Sequence, residues 1–90
     1  SAVFSLMGEA DIAVGAGDLQ QAIALLSDVL DFQPSHLNAR LSRGRCWREL
    51  GEFSAALSDF RRAQDNAPMS AAPTYEIANQ FFAQKAYNKA

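Results

Sequence analysis

Cysteine, histidine and proline are scarce in this chain, with 1 Cys, 1 His and 3 Pro among 90 residues. A single thiol, Cys46, excludes an internal disulfide framework and a multi-cysteine zinc site; it favours a reducing, cytoplasmic compartment over an oxidising one. Charge of one sign is lacking too. The formal net charge of −2 creates no sequence-wide field that would recruit nucleic acid or anionic lipid. No apolar run approaches the roughly 20 residues that span a bilayer. Residues 1–7 have neither the basic start nor the long apolar stretch of a secretion signal. Ser1 stands where an initiator methionine would, and Ala90 falls inside an expected helix, which predicts a section of a longer protein.

Catalytic groups are equally thin. One His, one Cys and scattered carboxylates form no acid, base and nucleophile constellation, so neither enzymatic activity nor a cofactor nor a metal site is expected. The glycines of GEADIAVGAG have no lysine and no preceding strand, and are read as turn residues instead of a phosphate loop. His36 is expected to be a solvated linker residue and Cys46 a small buried hydrophobe.

What is present is a packed-domain composition, 49% hydrophobic and 20% charged, too apolar for a disordered chain and short enough for one domain over residues 1–90. It is organised by an offset of 34 residues. Ala10, Gly44 and Ala78 fall in one column, Ala13, Trp47 and Phe81 in the next, then Gly17, Gly51 and Lys85, and then Leu19, Phe53 and Tyr87. Ala22, Ala56 and Ala90 follow, and Leu26 with Phe60, Val29 with Ala63 and Pro34 with Pro68 complete two copies. Each unit reads as two helices joined by a tight glycine turn, with proline after the second helix. Helices are predicted near residues 3–15, 19–32, 37–50, 53–66 and 71–84, and a sixth from about Ala86, with Ser35 and Ser70 as N-caps and Pro73 in a first turn. The small residues let helix backbones approach, and Trp47, Phe53, Phe81 and Tyr87 fill the space beside those contacts.

These columns resemble the tetratricopeptide repeat family over the whole chain, most clearly in residues 39–68, which carry RGRCWRELGEFSAALSDFRRAQDNAP. The resemblance implies an all-α fold, a right-handed α-solenoid of antiparallel helix pairs, with about two and a half repeats at 3–36, 37–70 and 71–90. Arg40 and Arg43 stand where the family more often has Trp and Leu. Arg43-Gly44 is a familiar variant that usually comes with an acid on the second helix, which predicts a pair between Arg43 and Asp59. Lys85 replaces the turn glycine of the third copy, and Ala13 the usual aromatic of the first. Gly8, Gly15 and Gly17 each weaken helix formation by about 1 kcal/mol relative to Ala, so the first copy should fray.

The implied function is a scaffold or adaptor whose concave groove, lined by the first helix of each repeat, holds a peptide or helix of a partner within a multiprotein complex. By register the candidate partner-binding residues are Met7, Asp11, Leu41, Arg45, Arg48, Tyr75, Asn79 and Phe82, with Arg45, Arg48, Tyr75 and Phe82 the expected anchors. Phe4, Gly8, Asn38, Ser42, Glu49, Ala72 and Glu76 share that face. The two-carboxylate clamp by which co-chaperones of this family seize acidic chaperone tails would need cations or amides at Met7, Asp11, Ser42, Ala72 and Glu76; such tails are therefore not expected to bind. Arg40, Arg43, Arg45, Arg48, Arg61 and Arg62 make a basic middle. However, Glu9, Asp11, Asp18, Asp28 and Asp31 precede any Lys or Arg and would repel a phosphate backbone, so nucleic acid is disfavoured as a partner. Two alternatives stand beside the scaffold reading. One is the recruiting arm of a co-chaperone or enzyme whose other domains lie elsewhere; the other is a salt-sensitive homo-oligomer joining acidic and basic repeats.

Overall fold

The computed structural model describes residues 1–89, so the expected column partner Ala90 lies outside the described residues. The chain forms five helices, α1 (Ala2–Gly15), α2 (Leu19–Phe32), α3 (Leu37–Glu49), α4 (Phe53–Asn66) and α5 (Ala72–Lys89). Side chains accept free amides at the starts of α1, α2, α3 and α5, while Glu52 at the start of α4 makes no side-chain cap bond. Ser1 Oγ accepts the Phe4 N–H and Asp18 Oδ1 the Gln21 N–H, each at 3.3 Å. At α5 the expected cap moves by one residue: Ala71 is the N-cap, its carbonyl accepting the Tyr75 N–H at 3.0 Å, and Ser70, just before it, accepts the Ala72 N–H through Oγ at 3.3 Å. The α3 cap differs from expectation. His36, not Ser35, is the N-cap: its Nδ1 accepts the Ala39 N–H at 3.0 Å, so this half-buried imidazole is a structural cap and not a solvated linker group.

The two intra-repeat turns are copies of one another. Gly17 and Gly51 adopt φ of 78° and 79°, a region that other residues enter only with strain. On either side the same bonds recur: Asp18 N–H to Ala13 O and Glu52 N–H to Trp47 O, both at 2.9 Å, closing a Schellman-type helix stop. Lys85 occupies the third such position and lies within α5, which runs on to Lys89. The expected break after residue 84 and sixth helix from Ala86 are thus corrected. Without a glycine to take positive φ, the helix has no stop signal there and continues.

Consecutive helices pack in chain order, and α3 also meets α5 directly, as in a solenoid where each unit touches its neighbours. One core lies among α1, α2 and α3, built on Ala10, Ala22, Leu26, Val29, Ala39 and Cys46. A second, built on Leu41, Ala56, Phe60 and Ala63, joins α3 to α4 and α5. Trp47 packs against both, so one indole ties the two clusters together. Gly44 shows why the small column matters: a Cβ there would sit 2.5 Å from Phe60 Cε1. The first copy pairs Ala10 with the smaller Leu26, and there a methyl fits.

The third copy departs from this pattern. Ala10 and Gly44 are buried, but Ala78 is exposed and Phe81 is 58% exposed, contrary to the expectation that both would be covered. The reason is the continuous α5: among the described residues no second helix folds back onto it.

Candidate functional site

A cavity of about 620 Å³ opens between the first repeat and α3. Asp11 and Val14 come from α1, Gly17 and Leu19 from the turn into α2, and Ser42, Arg45, Cys46, Arg48 and Glu49 from α3. The trough lies where the Gly17 turn follows α1 and faces α3. Polar and apolar groups share the wall, as in sites that orient a ligand by few polar contacts on an apolar floor.

The electrostatics of this trough are set from behind by Glu76 of α5, which is 4% exposed. Arg45 Nε donates to Glu76 Oε2 at 2.5 Å and Arg48 Nη1 to Oε1 at 2.9 Å, so both carboxylate oxygens are taken by cations of the neighbouring repeat. Burial opposes ionisation of Glu76, but the hydrogen bonds and charges of Arg45 and Arg48 outweigh it and hold the carboxyl below its usual range. Arg48 also stacks over the Phe60 ring, 5.6 Å from its centroid. Arg48 is consequently held by two contacts and its side chain is 19% exposed, while the Arg45 side chain remains 47% exposed.

A second polar cluster lies among α2, α3 and α4, and contains the expected pair. Arg43 grips Asp59 in a fork, Nε to Oδ2 at 2.8 Å and Nη2 to Oδ1 at 2.7 Å. Its Nη1 reaches Ser27 Oγ at 3.1 Å, and Arg40 Nη1 approaches Asp59 Oδ1 at 3.5 Å. The hydrogen bonds to Asp59 raise the Arg43 pKa against the effect of burial. Burial lowers that of Arg40, helped by the charges of Arg43 and Arg62. Because Asp59 is only 4% exposed, this cluster is internal architecture joining the first repeat to the second.

Of the eight residues chosen from the sequence, Asp11, Arg45 and Arg48 line the cavity together. Met7 is half-buried against the first core. Leu41 is 3% exposed inside the second core and is unavailable to a partner, a correction to its placement on the open face. It sinks because α4 brings Phe60 against it, where the corresponding α5 residue, Tyr75, has no such cover and is 66% exposed. Asn79 is half-buried and Phe82 is 77% exposed. Sequence reasoning missed Val14 and Leu19. The signal was there for Val14, which shares its 34-residue row with Arg48 and Phe82.

Cys46, also on the cavity wall, is 2% exposed. Burial, then the charge of Glu49, pushes its thiol up despite Arg45, which makes it a packing residue and a poor nucleophile. Among the described residues no group of three or more His, Cys, Asp or Glu is placed to hold a metal ion. Among the same residues no helix is long and apolar enough to cross a membrane.

Comparison with known proteins gives one match. The family model described as Tetratricopeptide repeat matches residues 7–71, the stretch containing both glycine turns and both cores. No curated protein and no solved structure matches the chain.

Proposed function

We propose that this chain, which belongs to the tetratricopeptide repeat family, is a scaffold or adaptor that holds a peptide or helix of a partner in the trough beside α3. Members of this family are generally protein–protein interaction modules, and the trough supports that reading here. It is a 620 Å³ recess in which Val14 and Leu19 offer apolar contact and Asp11, Arg45, Arg48 and Glu49 offer charge. A multiprotein assembly in a cytoplasmic setting is the context this chemistry fits.

The test is site-specific photocrosslinking in cells. A photoreactive residue at Ser42, on the trough wall, should yield discrete adducts with a partner. The same residue at the exposed Ser58 of α4, which is not part of the wall, should not. Equal labelling from both positions rejects the trough as the docking face.

Self-association has one observation of its own. Asp28 and Asp31 are exposed on α2, and Arg61 and Arg62 are exposed on α4, so two copies could join through opposite charges. Light scattering decides it: oligomers that dissociate as salt rises support this reading, and a monomer at every salt concentration rejects it.

A further inference from the structure

The docking reading leaves open what kind of segment the trough accepts. By register Arg45 and Arg48 are two of the expected anchors, and cations left free on a binding face would attract an acidic segment. The structure reverses this. Both arginines already hold a carboxylate belonging to the protein, Glu76. An acidic ligand would have to compete with an internal counter-ion that is held at 2.5 and 2.9 Å and is nearly shut off from water.

The remaining acids of the trough have no such partner. Asp11 and Glu49 are exposed on its wall, and neither has an ion pair within the described residues. Counted together, Asp11, Glu49 and Glu76 carry three negative charges against the two positive charges of Arg45 and Arg48, so the trough is net negative. The rest of the first repeat adds to this. Glu9, Asp18, Asp28 and Asp31 are all exposed, and no Lys or Arg occurs before Arg40. A cation approaching the α1 side of the trough meets only attraction there.

A second observation agrees. Phe82 continues the row of Val14 and Arg48 and is 77% exposed, and the neighbouring face of α5 carries Tyr75 at 66%. Exposed aromatic rings receive guanidinium and ammonium groups on their faces, and repel carboxylates.

We infer that the trough between α1 and α3 binds a basic partner segment, Lys or Arg side chains with apolar residues beside them, with Asp11 and Glu49 as the carboxylates that receive the cations and Glu76 as the internal counter-ion that occupies Arg45 and Arg48. This rests on the proposed docking role of the same trough. Glu76 therefore tunes specificity without touching the ligand: by occupying both arginines it weakens the protein's own attraction for acidic tails.

The test uses a random dodecapeptide display library panned on the immobilised chain, with parallel panning on Ser42→Trp, which fills the trough; circular dichroism checks that each variant is folded. Peptides enriched on the parent and lost on Ser42→Trp should contain more Lys and Arg than Asp and Glu. A synthetic peptide of the enriched sequence, followed by fluorescence anisotropy, should bind more weakly as salt rises. It should also lose about 2- to 30-fold in affinity with Asp11→Asn and Glu49→Gln combined, the range expected for two exposed ion pairs. Glu76→Gln should shift preference toward acidic peptides. Enrichment of acidic peptides on the parent, or an unchanged affinity in the Asp11/Glu49 double variant, overturns the basic-partner assignment and leaves docking intact. Enrichment that Ser42→Trp does not reduce overturns docking in the trough itself.

Discussion

Asp59→Asn is the sharpest test of how the repeats are joined. The substitution keeps the volume of the side chain and removes its charge, so packing around Phe60 and Ala63 is undisturbed. What it leaves behind is costly: Arg43 and Arg40, 22% and 11% exposed in their side chains, lose the only carboxylate they share. Removing one member of a buried ion pair typically costs about 3–5 kcal/mol. Here the guanidinium of Arg43 is partly wet and the asparagine carbonyl still accepts one hydrogen bond, which places the loss at about 2–3 kcal/mol. For a domain of this size about 1 kcal/mol moves the melting temperature by roughly 4–8 °C, so a drop of about 10–20 °C is expected in thermal unfolding followed by circular dichroism. Urea unfolding gives the free energy directly. The control is the double variant Arg43→Met with Asp59→Leu, which removes charge and counter-charge together and should stay within about 1 kcal/mol of the parent. A loss below about 0.5 kcal/mol in Asp59→Asn, or an equal loss in the double variant, would refute the claim that the cost comes from stranded charge.

Three further outcomes follow from particular contacts. Gly44→Ala should lose about 1–3 kcal/mol in chemical unfolding, because its Cβ would meet Phe60 Cε1 at 2.5 Å, and Phe60→Leu should recover part of the loss. Lys85→Gly should end α5 near that position, seen as lost helical amide and Cα chemical shifts after residue 85; unchanged shifts would mean that something other than the missing glycine keeps α5 straight. Glu76 has a folded pKa below its ordinary value of 4.5, so its stabilising contribution is complete above that value and is lost as pH falls through the folded value. Stability should thus decline on acidification below about 4.5 more steeply in the parent than in Glu76→Gln, and parallel curves in the two proteins would contradict this.

The fold was legible because the 34-residue register repeats the physical requirements of a turn as well as its apolar residues. Gly17 and Gly51 stop helices by taking positive φ, and that requirement shows in sequence as glycine. The Arg43 and Asp59 pair was legible for a related reason: it lies within one helix pair, where register fixes which residues face each other. The pairing of Arg45 and Arg48 with Glu76 was not, since it crosses between repeats and depends on how α5 leans on α3. A residue's place in the repeat says which face it occupies, but not which neighbour neutralises it. His36 was missed for a simpler reason: imidazole is an uncommon N-cap, and only the position of Nδ1 near the Ala39 amide reveals the role.

In a stacked array, burial belongs to the position's neighbours and not to the residue, and the exposed positions of this chain bear that out. Ile12, Cys46 and Gln80 are equivalent by register, yet Ile12 is 74% exposed while Cys46 and Gln80 are 2% and 0%. The difference is that α2 and α4 precede the helices carrying Cys46 and Gln80, and no helix precedes α1 among the described residues. Ala78 and Phe81 show the same effect on the other flank, where α5 has no second helix laid against it. Both flanks therefore present surfaces whose chemistry is that of a repeat interface. The trough beside α3 differs in kind, because it is open in the middle of the array, where both neighbouring helices are already in place. Openness that persists between packed neighbours does not depend on what lies beside the first or last helix, and this is the physical reason for proposing the trough, and not the apolar flanks, as the docking face.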